Sequence, residues 1–281
     1  MEFLISAKTD VGISRGVNQD RVLIKTAVTD KGKAVLAAIC DGMGGLDDGA
    51  TASATVTAAI ERWFAGQLQS WIREGMTEQA LREEWVALAD GMNQSLQDYG
   101  REKGIRLGTT MTVMLLFSEQ YFIIHVGDTR VYAIGDSVIQ LTDDHTVAAR
   151  EVREGKLDPA ELERSRNNHI LTNCIGAKAS VDPAFYVGRT RADCVYLLCS
   201  DGFRHKLLPQ ELQETLGPEQ AVNGEALARG CEKLIELNKA RGETDNISVA
   251  VIRPFFEAGS AERIVPGFVP AADRDGDTVR S

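Results

Sequence analysis

Two uninterrupted apolar stretches in this chain stop at Asp-Gly. VLAAICDG ends at Asp41-Gly42, and CVYLLCSDG ends at Asp201-Gly202. A third stretch, TDNISVAVI, carries an acid at its entrance, Asp245. Runs of this length and composition predict buried strands. Each strand would then deliver a carboxylate to the rim of a core. Carboxylates and a carbonyl gathered on a rigid rim suit hard divalent cations. The pattern points to a metal-dependent enzyme.

The 281 residues suffice for one large domain or two small ones. With 43% hydrophobic and 26% charged residues, the composition is that of a soluble globular protein. No apolar run is long enough to span a bilayer, so no membrane partner is expected. The opening MEFLISAKTD has an acid at Glu2 and no basic stretch, unlike a signal peptide. The formal net charge of -10, with Lys and Arg scattered, argues against nucleic acid as a partner. Cys40, Cys174, Cys194, Cys199 and Cys231 make an odd set without a C-x-x-C, which argues against a disulfide framework or zinc knuckle. Cys40 and Cys199 fall inside apolar strands, where cysteine acts as a small hydrophobe. A reducing, cytoplasmic compartment is expected.

Strands are predicted over Glu2 to Gly12, Arg21 to Thr29 and Lys33 to Cys40, the last two joined by a tight turn at Asp30-Lys31-Gly32. Ala-rich spacing of three and four predicts a helix from Thr51 to Leu68, and a second from Thr77 to about Lys103. GTTMTVMLLF, YFIIHVG, RVYAIG and SVIQLT, with short polar links, predict an antiparallel meander. Val147 to Arg166 reads as charged helix broken at Pro159, a candidate surface flap at about 147–170. AFYVG and CVYLLCS resume the strands. Helices follow at about Pro209 to Leu216 and Glu225 to Arg241, and NISVAVI closes the domain near Pro254. Residues 255–281 lose periodicity and read as a loose tail. Its end, DRDGDTVRS, has only the start of a calcium loop. The expected fold is α+β: a central antiparallel β-sandwich with helices on both outer faces, four layers in all.

The chemistry-bearing motifs form an ordered series. Arg15-Gly16-Val17-Asn18-Gln19-Asp20 comes first, then Asp41-Gly42-Met43-Gly44-Gly45, then Gly108-Thr109-Thr110. Val126-Gly127-Asp128-Thr129-Arg130-Val131-Tyr132, Leu141-Thr142-Asp143-Asp144-His145-Thr146, Ile170-Leu171-Thr172-Asn173 with Gly176, Ser200-Asp201-Gly202 and Asp245-Asn246-Ile247-Ser248 complete it. Together, from about Ile5 to Arg253, these strongly resemble the metal-dependent Ser/Thr protein phosphatases of the protein phosphatase 2C family, in bacterial spelling. The resemblance implies hydrolysis of phosphoserine and phosphothreonine in proteins, with Mn²⁺ or Mg²⁺ as cofactor. It implies a catalytic domain over 1–254. Asp41 would bridge two cations and the Gly42 carbonyl would bind one of them. Asp201 and Asp245 would hold the other, and Asp20 would act mainly through metal-bound water. Asp128, with Asp201, would hold the third cation seen in bacterial relatives, and Arg15 would contact substrate phosphate. Phosphoprotein substrates, an opposing Ser/Thr kinase and a monomeric state are the expected partners and assembly.

Other residues of the series read as structural. Arg130 is expected in a surface or structural ion pair, and Asp143 and Asp144 as loop acids. His145 is expected to fix the loop after its strand, and His125 to be a satisfied core residue. Gly108-Thr109-Thr110 is expected to pack against the site. Two departures weaken the match. Many relatives carry a His near the glycine-rich turn that protonates the leaving alkoxide, where Met43 and Leu46 stand here; the usual Glu a little later is replaced around Ala50. The competing reading is a catalytically weak phosphatase-like module that binds phosphoproteins or senses a signal. A phosphodiesterase on the same metal chemistry is a third.

Overall fold

The computed structural model describes residues 1–43, 48–75 and 77–256. The chain opens with β1 (Glu2–Asp10), β2 (Asp20–Thr29) and β3 (Gly32–Asp41). Three helices follow, α1 (Gly49–Gly66), α2 (Leu68–Glu74) and α3 (Glu78–Lys103). Then come β4 (Met111–Phe117), β5 (Gln120–Val126), β6 (Arg130–Ile134) and β7 (Val138–Gln140). After α4 (Val147–Arg153) and a 3-10 turn (Pro159–Arg164) the chain forms β8 (Ala184–Arg189) and β9 (Val195–Cys199). It ends with α5 (Asp201–Arg204), α6 (Pro209–Leu216), α7 (Gly224–Ala240) and β10 (Ile247–Phe255).

The strands make two five-stranded sheets, β1-β10-β9-β6-β7 and β2-β3-β4-β5-β8, every pairing antiparallel. The strand period of two sorts side chains to opposite faces, and β3 shows the result. Ala34, Leu36, Ala38 and Cys40 pack with Val56, Ile60, Trp63, Leu81 and Trp85 of α1 and α3. Val35, Ala37 and Ile39 face inward to Tyr196, Leu198, Ala250 and Ile252 of the other sheet. That sheet turns Val195, Leu197, Val249 and Val251 outward onto Leu212, Leu227 and Leu234 of α6 and α7. The four-layer α+β sandwich expected from sequence is the fold observed.

Four local expectations need correction. The predicted meander is two hairpins in different sheets: β4–β5 in one, β6–β7 in the other. The link Gly127-Asp128-Thr129 carries the chain across. Gly127 makes this crossing with φ 115°. The segment read as charged helix from Val147 to Arg166, broken at Pro159, stops earlier, at Arg153, and what begins at Pro159 is a 3-10 turn. Helices α2 and α5 are additional to the sequence reading. Phe255, assigned to the tail, is the last residue of β10; residues 257–281, with the calcium-like end, lie outside the described residues.

The flap joins the body next to the inter-sheet link. Its stem holds by Val147 N donating to Ile170 O (2.9 Å) and Thr172 N to His145 O (2.7 Å). His145 N in turn donates to Gly127 O (2.7 Å), and Gly127 N to His145 Nδ1 (3.2 Å). His145 therefore fixes the loop, as expected.

Candidate active site and metal centre

Asp20 opens β2 and Asp41 closes β3, and the two are direct partners in the antiparallel register. Asp20 is 2% exposed, and its Oδ2 is buried without a hydrogen-bond partner. Around Asp41 the backbone is clamped: its N donates to Thr110 Oγ1 (2.8 Å), and its carbonyl accepts from Thr110 N (2.9 Å) and Thr109 Oγ1 (2.8 Å). The expected packing of Gly108-Thr109-Thr110 against the site thus takes the form of hydrogen bonds to its central residue. Gly42 continues the frame, with N donating to Gln19 O (3.1 Å). A Cβ at Gly42 would stand 2.3 Å from Gly49 O and 2.7 Å from Gln19 O. Glycine is needed there for close backbone approach. Gly42→Ala is expected to cost about 1–3 kcal/mol through overpacking and to lower turnover by shifting Asp41; thermal melting and an aryl phosphatase assay check both.

The other acids come from the opposite sheet and from the link between sheets. Asp201 follows β9 as the first residue of α5, and its Oδ1 is buried and unpartnered. Gly202 behind it packs on Asn246, where a Cβ would meet the carbonyl oxygen at 2.2 Å. Asp245 precedes β10; its Oδ1 accepts from Asn246 N (2.8 Å) and its Oδ2 from Arg15 Nη2 (2.9 Å). Asp128 lies in the inter-sheet link, 6% exposed.

These five acids act on one another. Burial, with the charges of Asp201 and Asp245, pushes Asp20 up to about 7 against hydrogen bonds from Ser248 and Ser200. Asp128 rises to about 8, through burial first and then Asp201, with Arg204 opposing. Asp41 is raised well above the carboxylate range by burial and by Asp20, Asp201, Asp128 and Asp245. Burial is the largest of these causes, and the four neighbouring charges add to it. Among the described residues, no three His, Cys, Asp or Glu side chains close around a single point as a ready cage. The acids gather on one rim, and Asp245 is engaged with Arg15. A divalent cation nevertheless fits this donor set: hard oxygens, two of them buried without partners, whose mutual repulsion a cation relieves.

Residues 13–232 match the family profile described as Protein phosphatase 2C. The chain belongs to the protein phosphatase 2C family. It is 30% identical over 251 residues to the protein phosphatase PhpP of Streptococcus pneumoniae, covering 88% of this chain and 96% of that protein. It is 28% identical over 279 residues to the serine/threonine protein phosphatase PstP of Mycobacterium tuberculosis, covering 95% of this chain and 48% of PstP. Among solved structures, the serine/threonine phosphatase Stp1 of Staphylococcus aureus superposes with TM-score 0.76 at 26% identity, over 90% of this chain and 96% of that one. The catalytic domain of PstP in complex with two manganese ions gives TM-score 0.69 at 27% identity, over 89% and 97%.

Within this protein phosphatase 2C fold the structure corrects and extends the roles read from sequence. Of the two alternatives for Arg130, surface or structural ion pair, the structure has the structural one: its guanidinium is buried, bidentate on Asp144 (Nε–Oδ1 2.9 Å, Nη2–Oδ2 2.6 Å). His125 is fully buried with Nδ1 on Thr112 Oγ1 (2.8 Å), but its Nε2 has no partner, so it is only half satisfied. Met43 is held by its N donating to Gly108 O (3.0 Å) and offers no proton; Leu46 lies outside the described residues, and Ala50 sits in the first turn of α1. Three residues gain a place that sequence reasoning left blank. Asn246 accepts from Gln19 N (2.9 Å) and donates to Val11 O (2.9 Å) and Val17 O (3.2 Å), stapling the Arg15 loop to β10. Glu243 is buried and accepts from Thr244 N (2.8 Å) and Asp245 N (3.0 Å). His205 lies between Asp201 and Glu243, 3.7 Å from each. The one available clue was position: Asn246 and Glu243 flank Asp245, and His205 follows Asp201 by one helical turn.

Proposed function

We propose that the chain is a protein serine/threonine phosphatase of bacterial type that hydrolyses phosphoserine and phosphothreonine with Mn²⁺ or Mg²⁺. The observation that carries the reading is the rim of five acids, Asp20, Asp41, Asp128, Asp201 and Asp245, with the other four acting on Asp41, in the fold of this family. Asp41, the Gly42 carbonyl, Asp201 and Asp245 would hold two cations, with Asp20 contributing through solvent and Asp128 with Asp201 forming a third position. When bound, such ions supply a nucleophile at neutral pH and neutralise phosphoryl oxygens during in-line displacement.

The protein's own share is positioning and charge. Thr109 and Thr110 fix the backbone of Asp41, and Asn246 fixes the loop of Arg15. Arg15, 41% exposed in its side chain, spends one nitrogen on Asp245 and brings a planar fork suited to two phosphate oxygens. Arg15 and Asp245 are counter-ions of each other; Arg15 would serve substrate phosphate and Asp245 would serve a cation. The proposed catalytic domain runs through Phe255, which pairs with Glu2 as the last residue of β10. The five free, buried cysteines suit action on phosphoproteins in a reducing cytoplasm, opposite a Ser/Thr kinase. Among the described residues, no helix is long and apolar enough to cross a membrane.

The test is turnover of an aryl phosphate and a phosphothreonine peptide, with manganese and with chelator. Metal-dependent release of phosphate from both is expected. Absence of turnover with metal binding intact would favour the binding-module reading, whose support is Met43. Met43 also makes a separate prediction. A phenolate leaves without help, whereas a threonine alkoxide needs a proton. Met43→His is expected to raise kcat on the phosphothreonine peptide by about tenfold or more and to leave kcat on the aryl phosphate within about twofold.

A further inference from the structure

The 3-10 turn of the flap, Pro159–Arg164, buries none of its side chains. Its one large apolar side chain, Leu162, is only half-buried. Glu163 ties the turn to the body: it accepts from Arg130 Nη2 (2.7 Å) through Oε1, and from Arg204 Nη1 (3.2 Å) and Asn168 Nδ2 (3.3 Å) through Oε2. Arg130 and Arg204 are themselves buried, at 7% and 5% side-chain exposure. They share one buried carboxylate, Asp144, at 2.6 Å from Arg130 Nη2 and 3.5 Å from Arg204 Nη2. Asp144 faces both guanidiniums and the Asp128 carboxyl also acts on them; Glu163 is the acid that reaches them from the flap. Removing one partner from a buried ionic group is costly because the remaining charge stays buried. Glu163, at 55% side-chain exposure, is also the member of the group that water and salt can reach.

The placement relates this group to the acid rim. Arg130 stands two residues after Asp128, and Arg204 three residues after Asp201. The stem of the flap hangs on Gly127 through His145. The flap is thus tied on both sides of Asp128, by backbone at its stem and by charge at its turn.

We propose that Glu163 is a positioning residue, an ionic latch that seats the flap on the Arg130–Arg204 pair and so sets affinity for protein substrates without touching the reacting atoms. The substrate arm of this proposal rests on the phosphatase reading; the latch itself does not. On this proposal a small aryl phosphate needs no contact with the flap, whereas a phosphorylated chain does.

The experiment compares Glu163→Gln with the parent in the full chain with manganese. For a phosphothreonine peptide, KM is expected to rise about tenfold with kcat unchanged; for the aryl phosphate, kcat/KM should stay within about twofold. Tryptic cleavage at Arg150, Arg153, Lys156, Arg164 and Arg166, read by mass spectrometry, should accelerate about tenfold. In the parent, raising NaCl from about 0.05 M to about 0.5 M should accelerate the same cleavages relative to a free reference peptide, which tests the latch even if the variant fails to fold. Cleavage and peptide KM at parental values, salt-independent flap cleavage in the parent, or equal losses on both substrates would overturn the latch. A parent chain with no metal-dependent turnover would instead overturn the phosphatase reading, and the cleavage result would still decide the latch.

Discussion

Replacing Asp41 by alanine is expected to lower metal-dependent turnover by at least about a thousandfold, on aryl phosphate and phosphopeptide alike. Asp41 is the acid on which all four others act. It ends the strand whose neighbours on either side are β2 and β4, and its backbone is hydrogen-bonded to Thr109 and Thr110. No nearby carboxylate can slide into that position without breaking the register that pairs Asp20 with Asp41. The variant should remain folded. In chelator near pH 8 it should melt no lower than the parent, because it removes one of several mutually repelling charges. Asp48 provides the control: it caps α1 by accepting from Thr51 N (3.0 Å), and Asp48→Ala should cost about 1 kcal/mol of stability while turnover persists. An Asp41→Ala chain within about tenfold of the parent under saturating manganese would remove the basis for the metal centre.

The metal-free protein is expected to lose stability as pH rises from about 5 to about 8, and manganese should restore part of it at the upper end. Asp20 and Asp128 have folded-state values near 7 and 8 against an ordinary 3.8, and Asp41 is also raised. A carboxyl raised by folding binds its proton more tightly in the folded chain than in the unfolded one. Its favourable contribution is complete below about 4 and disappears as pH climbs through the folded value. For Asp20 alone the swing is of order 4 kcal/mol; the acids interact, so their contributions do not simply add. A cation that binds only the folded chain at a hundredfold excess over its Kd contributes about 2.7 kcal/mol, or roughly 5–10 °C for a domain of this size. Melting curves at pH 5 and pH 8, with chelator and with manganese, check both signs. A chelated protein that melts higher at pH 8 than at pH 5, or shows no response to bound manganese, would contradict the description of the rim.

Much of this arrangement can be read from the residues because it is local. The run Ala34 to Cys40 announces a buried strand, and the acid that ends it is visible in the same eight letters. Thr77 looks like a weak cap, and its Oγ1 does accept from Ala80 N (3.2 Å). What escapes reading is decided at long range. The hairpins β4–β5 and β6–β7 have the same local pattern, and only pairing with β3 or β9 assigns them to different sheets. The break between α1 and α2 falls at Gln67, which has no strong helix-stopping chemistry, although Leu68, Trp71 and Ile72 keep helical spacing on the buried side. At the site, Arg130 was legible as an ionic residue, but its burial depends on Asp144, Glu163 and Arg204 arriving from three other segments. Asn246 could be recognised as part of a motif, whereas its staple to Val11 and Val17 spans more than 200 residues of sequence and leaves no local trace.

Asp20 and Asp41 hang from one half of the sandwich, and Asp201 and Asp245 from the other. Anything that grips all four rivets the halves together at one end of their seam. Neither half can then peel away or slide along its partner without first releasing the grip, so partial melting and loss of the reaction centre become a single event. On the proposed reading, the catalytic apparatus would also be the clasp of the scaffold that carries it.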